Sequence, residues 1–210
     1  MPAIAADRIG TNLLEPKPWT GLGLRLAAVA WLGGLLGGMT AFASYKGTPG
    51  PEGEPPLRWP TASSIALDAE RPTLLMFAHP KCPCTRASLS ELNLVLNKYA
   101  AQVAASVVFA EPVDDRSWRV GSAWDQARAL PGARVLDDLG EVEAARFGAK
   151  VSGYVLLYSR AGELLYAGGV TGSRGHEGAN LGRTRLETII RGEAADRPNA
   201  PTFGCELSDP

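Results

Sequence analysis

At 210 residues, the chain has room for one domain of ordinary size plus extra segments. A composition that is 45% hydrophobic and 20% charged is that of a folded chain and excludes wholesale disorder. A formal net charge of −1 without a Lys/Arg-rich block argues against a nucleic-acid partner, and three cysteines are too few for a disulfide-stapled small fold.

Residues 1–25 read as a short segment ahead of an apolar run. Leu26 to Tyr45 then gives twenty residues without a charge, bounded by Arg25 and Lys46. At about 1.5 Å per residue such a helix spans a hydrocarbon core of roughly 30 Å. A buried core helix is a poor account of it, because it lacks a polar face and leads into a Pro/Gly tract. The sequence Ala41-Phe42-Ala43 resembles a small-x-small cleavage site, so a removed signal peptide is the other reading. The long stretch before the run favours an uncleaved transmembrane anchor. Arg8, Lys17 and Arg25 before it, against Lys46 and Arg58 after it, point to a cytoplasmic N-terminus and an extracytoplasmic domain. Gly33, Gly34, Gly37 and Gly38 place small residues at four-residue spacing along this helix.

Residues 46–60 (KGTPGPEGEPPLRWP) read as a Pro/Gly-rich linker holding a domain, 61–192, off the membrane. Within that domain Pro72–Ala78 is a short apolar run, expected as a buried strand. From Pro83 to about Ala101 a helix is expected, with Leu89, Leu92, Leu96 and Tyr99 on one face and Glu91 and Lys98 off it. A second buried strand follows at Ser106–Ala110. Next come a short helix at Ser122–Leu130, a brief strand at Arg134–Leu136 and a short helix at Glu141–Phe147. Tyr154–Tyr158 and Glu163–Ala167 flank Ser-Arg-Ala-Gly and read as a hairpin, and Arg183–Arg191 as a closing amphipathic helix. Residues 193–210 form a tail carrying Cys205. Parallel units followed by a hairpin and a helix predict an α/β fold with a mixed sheet flanked by helices.

The strand end Phe77-Ala78-His79-Pro80, followed by Cys82-Pro83-Cys84-Thr85-Arg86 at a helix start, resembles the active-site segment of thioredoxin-like proteins. Phe147-Gly148-Ala149 through Gly162-Glu163-Leu164 resembles their hairpin region, so the likeness covers roughly residues 60 to 192. A narrower likeness, to a bacterial group labelled RedB-like whose members are usually membrane-anchored, is carried by three stretches. They are His79 to Ser88, Gly168-Gly169-Val170-Thr171 with Arg174-Gly175-His176-Glu177-Gly178, and Phe203-Gly204-Cys205. Two departures stand out. The usual Cys-x-x-Cys is one residue short here, and Gly153 stands where the family has a proline in a cis bond.

A thiolate at a helix N-terminus faces unpaired N–H groups, which lowers its pKa. Pro83 suits the first helical turn, where a missing N–H costs nothing. Cys82 is therefore expected as the exposed nucleophile and Cys84 as its resolving partner, in a thiol–disulfide oxidoreductase without a cofactor. Its partner would be a protein thiol or disulfide. A strained Cys-x-Cys ring favours an oxidant or isomerase over a strong reductant. The resemblance also implies that the loop Gly168–Gly182 lies beside Cys82. There His176 is the candidate proton carrier, with Arg174 and Glu177 beside it and His79 and Arg86 in supporting places. Cys205 can resolve Cys82, complete a metal site, or stay a free tail thiol. The alternative function is a copper(I) carrier using Cys82, Cys84 and His176, since soft thiolates suit Cu(I).

Overall fold

The computed structural model describes residues 21–113 and 121–207, so the basic residues Arg8 and Lys17 and most of segment 1–25 lie outside the described residues. By its contacts the chain divides into two compact units, one ending at Phe42 and one from Ala43 onward. The described residues of the first are all in helix α1, Gly21–Gly47, which continues past Phe42; it runs five residues beyond the expected span at its start and two at its end and buries no side chain. It is long and apolar enough to cross a membrane, a property that a signal sequence shares.

The second unit is built on a six-stranded mixed sheet in the order β3-β2-β1-β4-β5-β6. Strands β1 (Thr73–Ala78), β2 (Ala104–Glu111) and β3 (Ala133–Leu139) are parallel. Strand β4 (Tyr154–Tyr158) runs antiparallel to β1, β5 (Leu164–Gly168) antiparallel to β4, and β6 (Asn199–Ala200) parallel to β5. Around the sheet lie α2 (Pro83–Tyr99), α3 (Ser122–Arg128), α4 (Val142–Arg146) and α5 (Leu181–Ile190). This is a thioredoxin-like arrangement.

Every residue of β1 is buried, because a central strand is covered on both faces. Its alternate residues feed two cores. Leu74 and Met76 pack with Leu89, Leu92 and Leu96 of α2 and Leu186 of α5, while Leu75 and Phe77 pack with Phe147, Leu156 and Tyr158. The brief strand expected at 134–136 is longer, Ala133–Leu139, because its half-exposed polar residues suit a sheet edge and hide it from an apolar count.

The stretch 46–60 is not the free spacer its prolines suggest. Gly50 N–H donates to Thr202 O at 2.9 Å, Glu54 N–H to Gly148 O at 3.0 Å and Trp59 N–H to Gly162 O at 2.7 Å. The Trp59 ring meets Phe147 and Tyr158 edge-on, with centroids 4.9 and 5.2 Å away. Proline removes its own donor, but the intervening residues keep theirs. The tail likewise folds back: β6 pairs with β5, and Val151 forms an antiparallel bridge with Glu206.

Candidate functional site

Cys82 is the N-cap of α2, in extended conformation (φ −76°, ψ 122°), with Pro83 opening the helix. The turn before it is fixed by hydrogen bonds. Cys82 N–H donates to His79 O at 3.1 Å, Thr85 N–H to Cys82 O at 3.1 Å, and Thr85 Oγ1 to the same His79 O at 2.8 Å. Ser152 joins this turn from across the sheet, accepting from His79 N–H at 2.8 Å and lying 2.7 Å from Thr85 Oγ1. Next to it, Gly153 donates its N–H to Phe77 O at 2.8 Å and so continues the β1–β4 ladder. Gly153 has φ +89°, and a Cβ there would meet Ser88 Oγ at 2.5 Å. A side chain at position 153 is thus disfavoured on two counts.

Cys82 is buried, at 4% exposure, so the expectation of an exposed nucleophile is corrected. What covers it is the tail. Cys205 Sγ lies 2.7 Å from Cys82 Sγ, and Cys205 N–H points at the same sulfur from 3.4 Å. All three cysteines are unbridged, with Cys84 buried and Cys205 half-buried. The sulfur facing Cys82 most closely is thus 123 positions away in sequence and not the neighbour expected as its partner.

The electrostatics separate the three thiols. Burial pushes Cys82 up, but the Cys205 thiol and the N–H groups of Cys205, Cys84 and Thr85 outweigh it and hold Cys82 below the ordinary thiol range. Burial and the neighbouring Cys82 sulfur push Cys84 up, against the pull of Arg174 and the Gly175 N–H. Cys205 is pushed up to about 12 by burial and by Cys82. Of the three thiols, Cys82 alone is held low, so it loses its proton most readily.

The loop after β5 reaches this site through Arg174 and Gly175. Arg174 donates through Nη1 to Gly204 O in the tail and through Nε to Thr48 O at 3.3 Å. Its guanidinium thus holds the chain beside Cys205 more than it holds a thiolate. His176 is exposed, and its ring lies beside Gly172 and Gly178. Glu177 is exposed and lines a separate cleft of about 540 Å³ with Ser90, Glu91 and Gln126, none of the cysteines among its walls. Arg86 is exposed and offers its backbone carbonyl to Gln126. His79 is buried, and its Nδ1 accepts the Lys81 N–H at 3.1 Å, a turn-forming contact. Among the described residues no three His, Cys, Asp or Glu side chains form a group able to hold a metal ion, so the donor set Cys82, Cys84 and His176 is not assembled.

Two features escaped the sequence reading. Ser152 carried no motif. Glu91, read as lying off the apolar face, is 1% exposed and pins the loop: it accepts from Gly178 N–H at 2.6 Å and Asn180 Nδ2 at 3.2 Å, and pairs with Arg183. A lone glutamate on an amphipathic helix gives no cue to such burial.

No protein-family model and no curated relative matches the sequence. Solved structures do resemble the fold. A conserved protein of uncharacterised function from Geobacillus kaustophilus is 16% identical over 77% of this chain and 92% of its own, with a TM-score of 0.55. A hypothetical protein from Sinorhizobium meliloti is 19% identical over 66% of this chain and 80% of its own, with a TM-score of 0.54. A secreted Mycobacterium tuberculosis disulfide oxidoreductase is 18% identical over 60% of this chain and 84% of its own, at a TM-score of 0.40. At these identities the likeness is one of fold.

Proposed function

We propose that this protein is a membrane-anchored thiol–disulfide oxidoreductase in which Cys82 exchanges with a partner protein and Cys205, in place of Cys84, resolves the intermediate. The observation that carries the reading is the 2.7 Å approach of Cys205 Sγ to Cys82 Sγ at the N-cap of α2. Exchange needs a thiolate, a positioned second thiol and restricted access, and the helix start, the tail and the burial of Cys82 are arranged for these.

The chemistry balances without a cofactor. The Cys82 thiolate attacks one sulfur of a partner disulfide, the S–S bond breaks, and the partner's other sulfur leaves as a thiolate with the electron pair. Cys205, once deprotonated, attacks the Cys82 sulfur of the mixed disulfide and expels the second partner thiolate. The partner ends as a dithiol and Cys82–Cys205 as a disulfide; run backwards, the same steps oxidise a partner dithiol. In this reading α1 anchors the chain with its domain on the extracytoplasmic side, as in the RedB-like group it resembles. Its 27 residues, at about 1.5 Å each, exceed a hydrocarbon core of roughly 30 Å.

The test uses the full chain in detergent, equilibrated in glutathione buffers, acid-quenched, thiol-trapped and mapped by mass spectrometry. A reversible Cys82–Cys205 disulfide, absent in Cys82→Ser and Cys205→Ser and retained in Cys84→Ser, is the expected result. Stoichiometric tight Cu(I) with no reversible disulfide would replace this reading with the copper carrier.

A further inference from the structure

The geometry points to a docking track for the partner: the main-chain edge Lys150–Ser152, on which an extended segment of the partner lies antiparallel with a glycine immediately before its reactive cysteine. This rests on the thiol-exchange reading above and names the substrate class for it. The chain's own tail occupies the track. Val151 and Glu206 form an antiparallel bridge, Ser152 N–H donates to Cys205 O at 2.8 Å, and Leu207 N–H donates to Lys150 O at 3.0 Å. Those bonds use backbone alone, and any extended segment can make them. In this register the residue that bonds Ser152 is the one that sets its sulfur against Cys82. Cys82 is 4% exposed beneath that tail, so a partner sulfur reaches it by taking the tail's place.

What the track discriminates is the preceding residue. At Gly204 a Cβ would run into the Ser152 carbonyl oxygen, a backbone atom held by the β4 entry and unable to step aside as a side chain would. A partner segment seated in the same register meets the same oxygen, so glycine is selected there and any side chain is excluded. Phe203 and Leu207, both buried, flank this pair and add apolar contact to either side. A tethered tail competes at an effective concentration on the order of millimolar, so a free segment at lower concentration gains access only when the tail is displaced.

The experiment uses the full chain in detergent with Cys84→Ser and Cys205→Ser, leaving Cys82 as the single thiol so that adducts accumulate. The probe is the peptide Phe-Gly-Cys-Glu-Leu with its cysteine as the mixed disulfide of thionitrobenzoate. Cys82 thiolate attacks the peptide sulfur, the bond to thionitrobenzoate breaks, and the coloured thiolate leaves with the electron pair. The tail is unseated by adding Gly204→Val or, independently of how that variant folds, by ending the chain after Thr202. The glycine peptide is expected to react about tenfold or more faster than its alanine and valine counterparts, and faster on the unseated protein than on the seated one by a similar factor. Equal rates for glycine and valine peptides, on protein whose Cys82 reacts with the symmetrical disulfide of thionitrobenzoate, would overturn the track and leave thiol exchange standing. Equal rates with the tail seated and unseated would overturn its occupancy of the track. A Cys82 inert even to the small reagent on the unseated protein would remove both readings.

Discussion

Oxidising the protein and measuring the gain in thermal stability identifies which cysteines form the couple, because the closed loops differ so much in length. Cross-linking Cys82 to Cys205 joins positions 123 apart. In the chain-entropy account that loop removes roughly 16 cal/mol/K from the unfolded ensemble, or about 5 kcal/mol at 25 °C. Closing Cys82 to Cys84 removes only a two- to three-residue loop, worth about 1 to 2 kcal/mol by the same relation. For a chain of this size each kcal/mol moves the melting temperature by about 2–4 °C. The expected rise on oxidation is thus on the order of 10–20 °C for the long loop and a few degrees for the short one. The assay is a pair of melts, reduced and diamide-oxidised, on the wild-type chain, Cys84→Ser and Cys205→Ser. Cys84→Ser should keep the large rise and Cys205→Ser should lose it. A rise of only a few degrees that survives in Cys205→Ser and vanishes in Cys84→Ser would refute the assignment of Cys205 as the resolving thiol.

Four further outcomes follow from other contacts and from the electrostatics of the thiols. Glu91→Ala strips the acceptor from Gly178 N–H and Asn180 and leaves Arg183 with Glu187 at 3.6 Å; the loss is about 3 kcal/mol, the low end for breaking a buried pair, and a melting temperature within about 2 °C of wild type would contradict it. Gly153→Ala combines a left-handed φ of +89° with a Cβ on Ser88 Oγ; a cost of about 1–3 kcal/mol is expected in denaturant titration, whereas Ser88→Ala in the same chain should recover part of it. Iodoacetamide should label Cys82 before Cys84 and Cys205, with a pH midpoint below that of a free thiol that moves upward in Cys205→Ala, where one donor to the thiolate is gone. For the reduced protein the sign follows: Cys82, lower when folded, adds stability that is lost as pH falls through its depressed midpoint. Cys205, pushed up to about 12, gives stability that is present below the ordinary thiol range and is lost as pH rises toward 12. A stability difference between wild type and Cys82→Ser that moved against the wild type from pH 6 to 9 would contradict the Cys82 assignment.

The parts of this molecule that were legible in its sequence are those that side-chain pattern encodes. The apolar runs at Thr73–Ala78 and Tyr154–Tyr158 mark central strands because both of their faces are covered. The start of α2 is readable from Pro83, whose fixed φ suits a first turn. The site itself was only half readable. The loop around Arg174 was placed beside the cysteines by topology, but topology says nothing of where His176 turns its ring, and the ring is at the surface. The seat of the tail was invisible for a different reason: its contacts to Lys150 and Ser152 are main-chain hydrogen bonds, which carry no residue signature. The prolines of 46–60 misled in the opposite direction, since they advertise a spacer while Gly50, Glu54 and Trp59 between them bond to the domain.

The short Cys-x-Cys spacing and the tail cysteine make sense together once the helix geometry is considered. On a helix, side chains three or four positions apart share a face, and those two apart do not. Counting from Cys82, the position that shares its face is 85, and 85 is a threonine whose hydroxyl is committed to His79 O and Ser152. Cys84, one residue short of that place, neighbours the Cys82 sulfur, which together with burial pushes it up, but it does not share the helix face of Cys82. A fold with its resolving sulfur removed from position 85 needs another thiol brought from outside the helix, and the only other cysteine in the chain is Cys205. Arg174 and Ser152 hold the chain on either side of it, through Gly204 O and Cys205 O. On this argument Thr85→Cys, which restores a Cys-x-x-Cys, should let residue 85 compete with Cys205 for Cys82. The oxidised protein would then show a Cys82-to-85 disulfide by mass mapping and lose most of the 10–20 °C rise in melting temperature expected of the long loop. If the Cys82–Cys205 disulfide persisted undiminished in that variant, spacing would not be what assigns the resolving role to the tail.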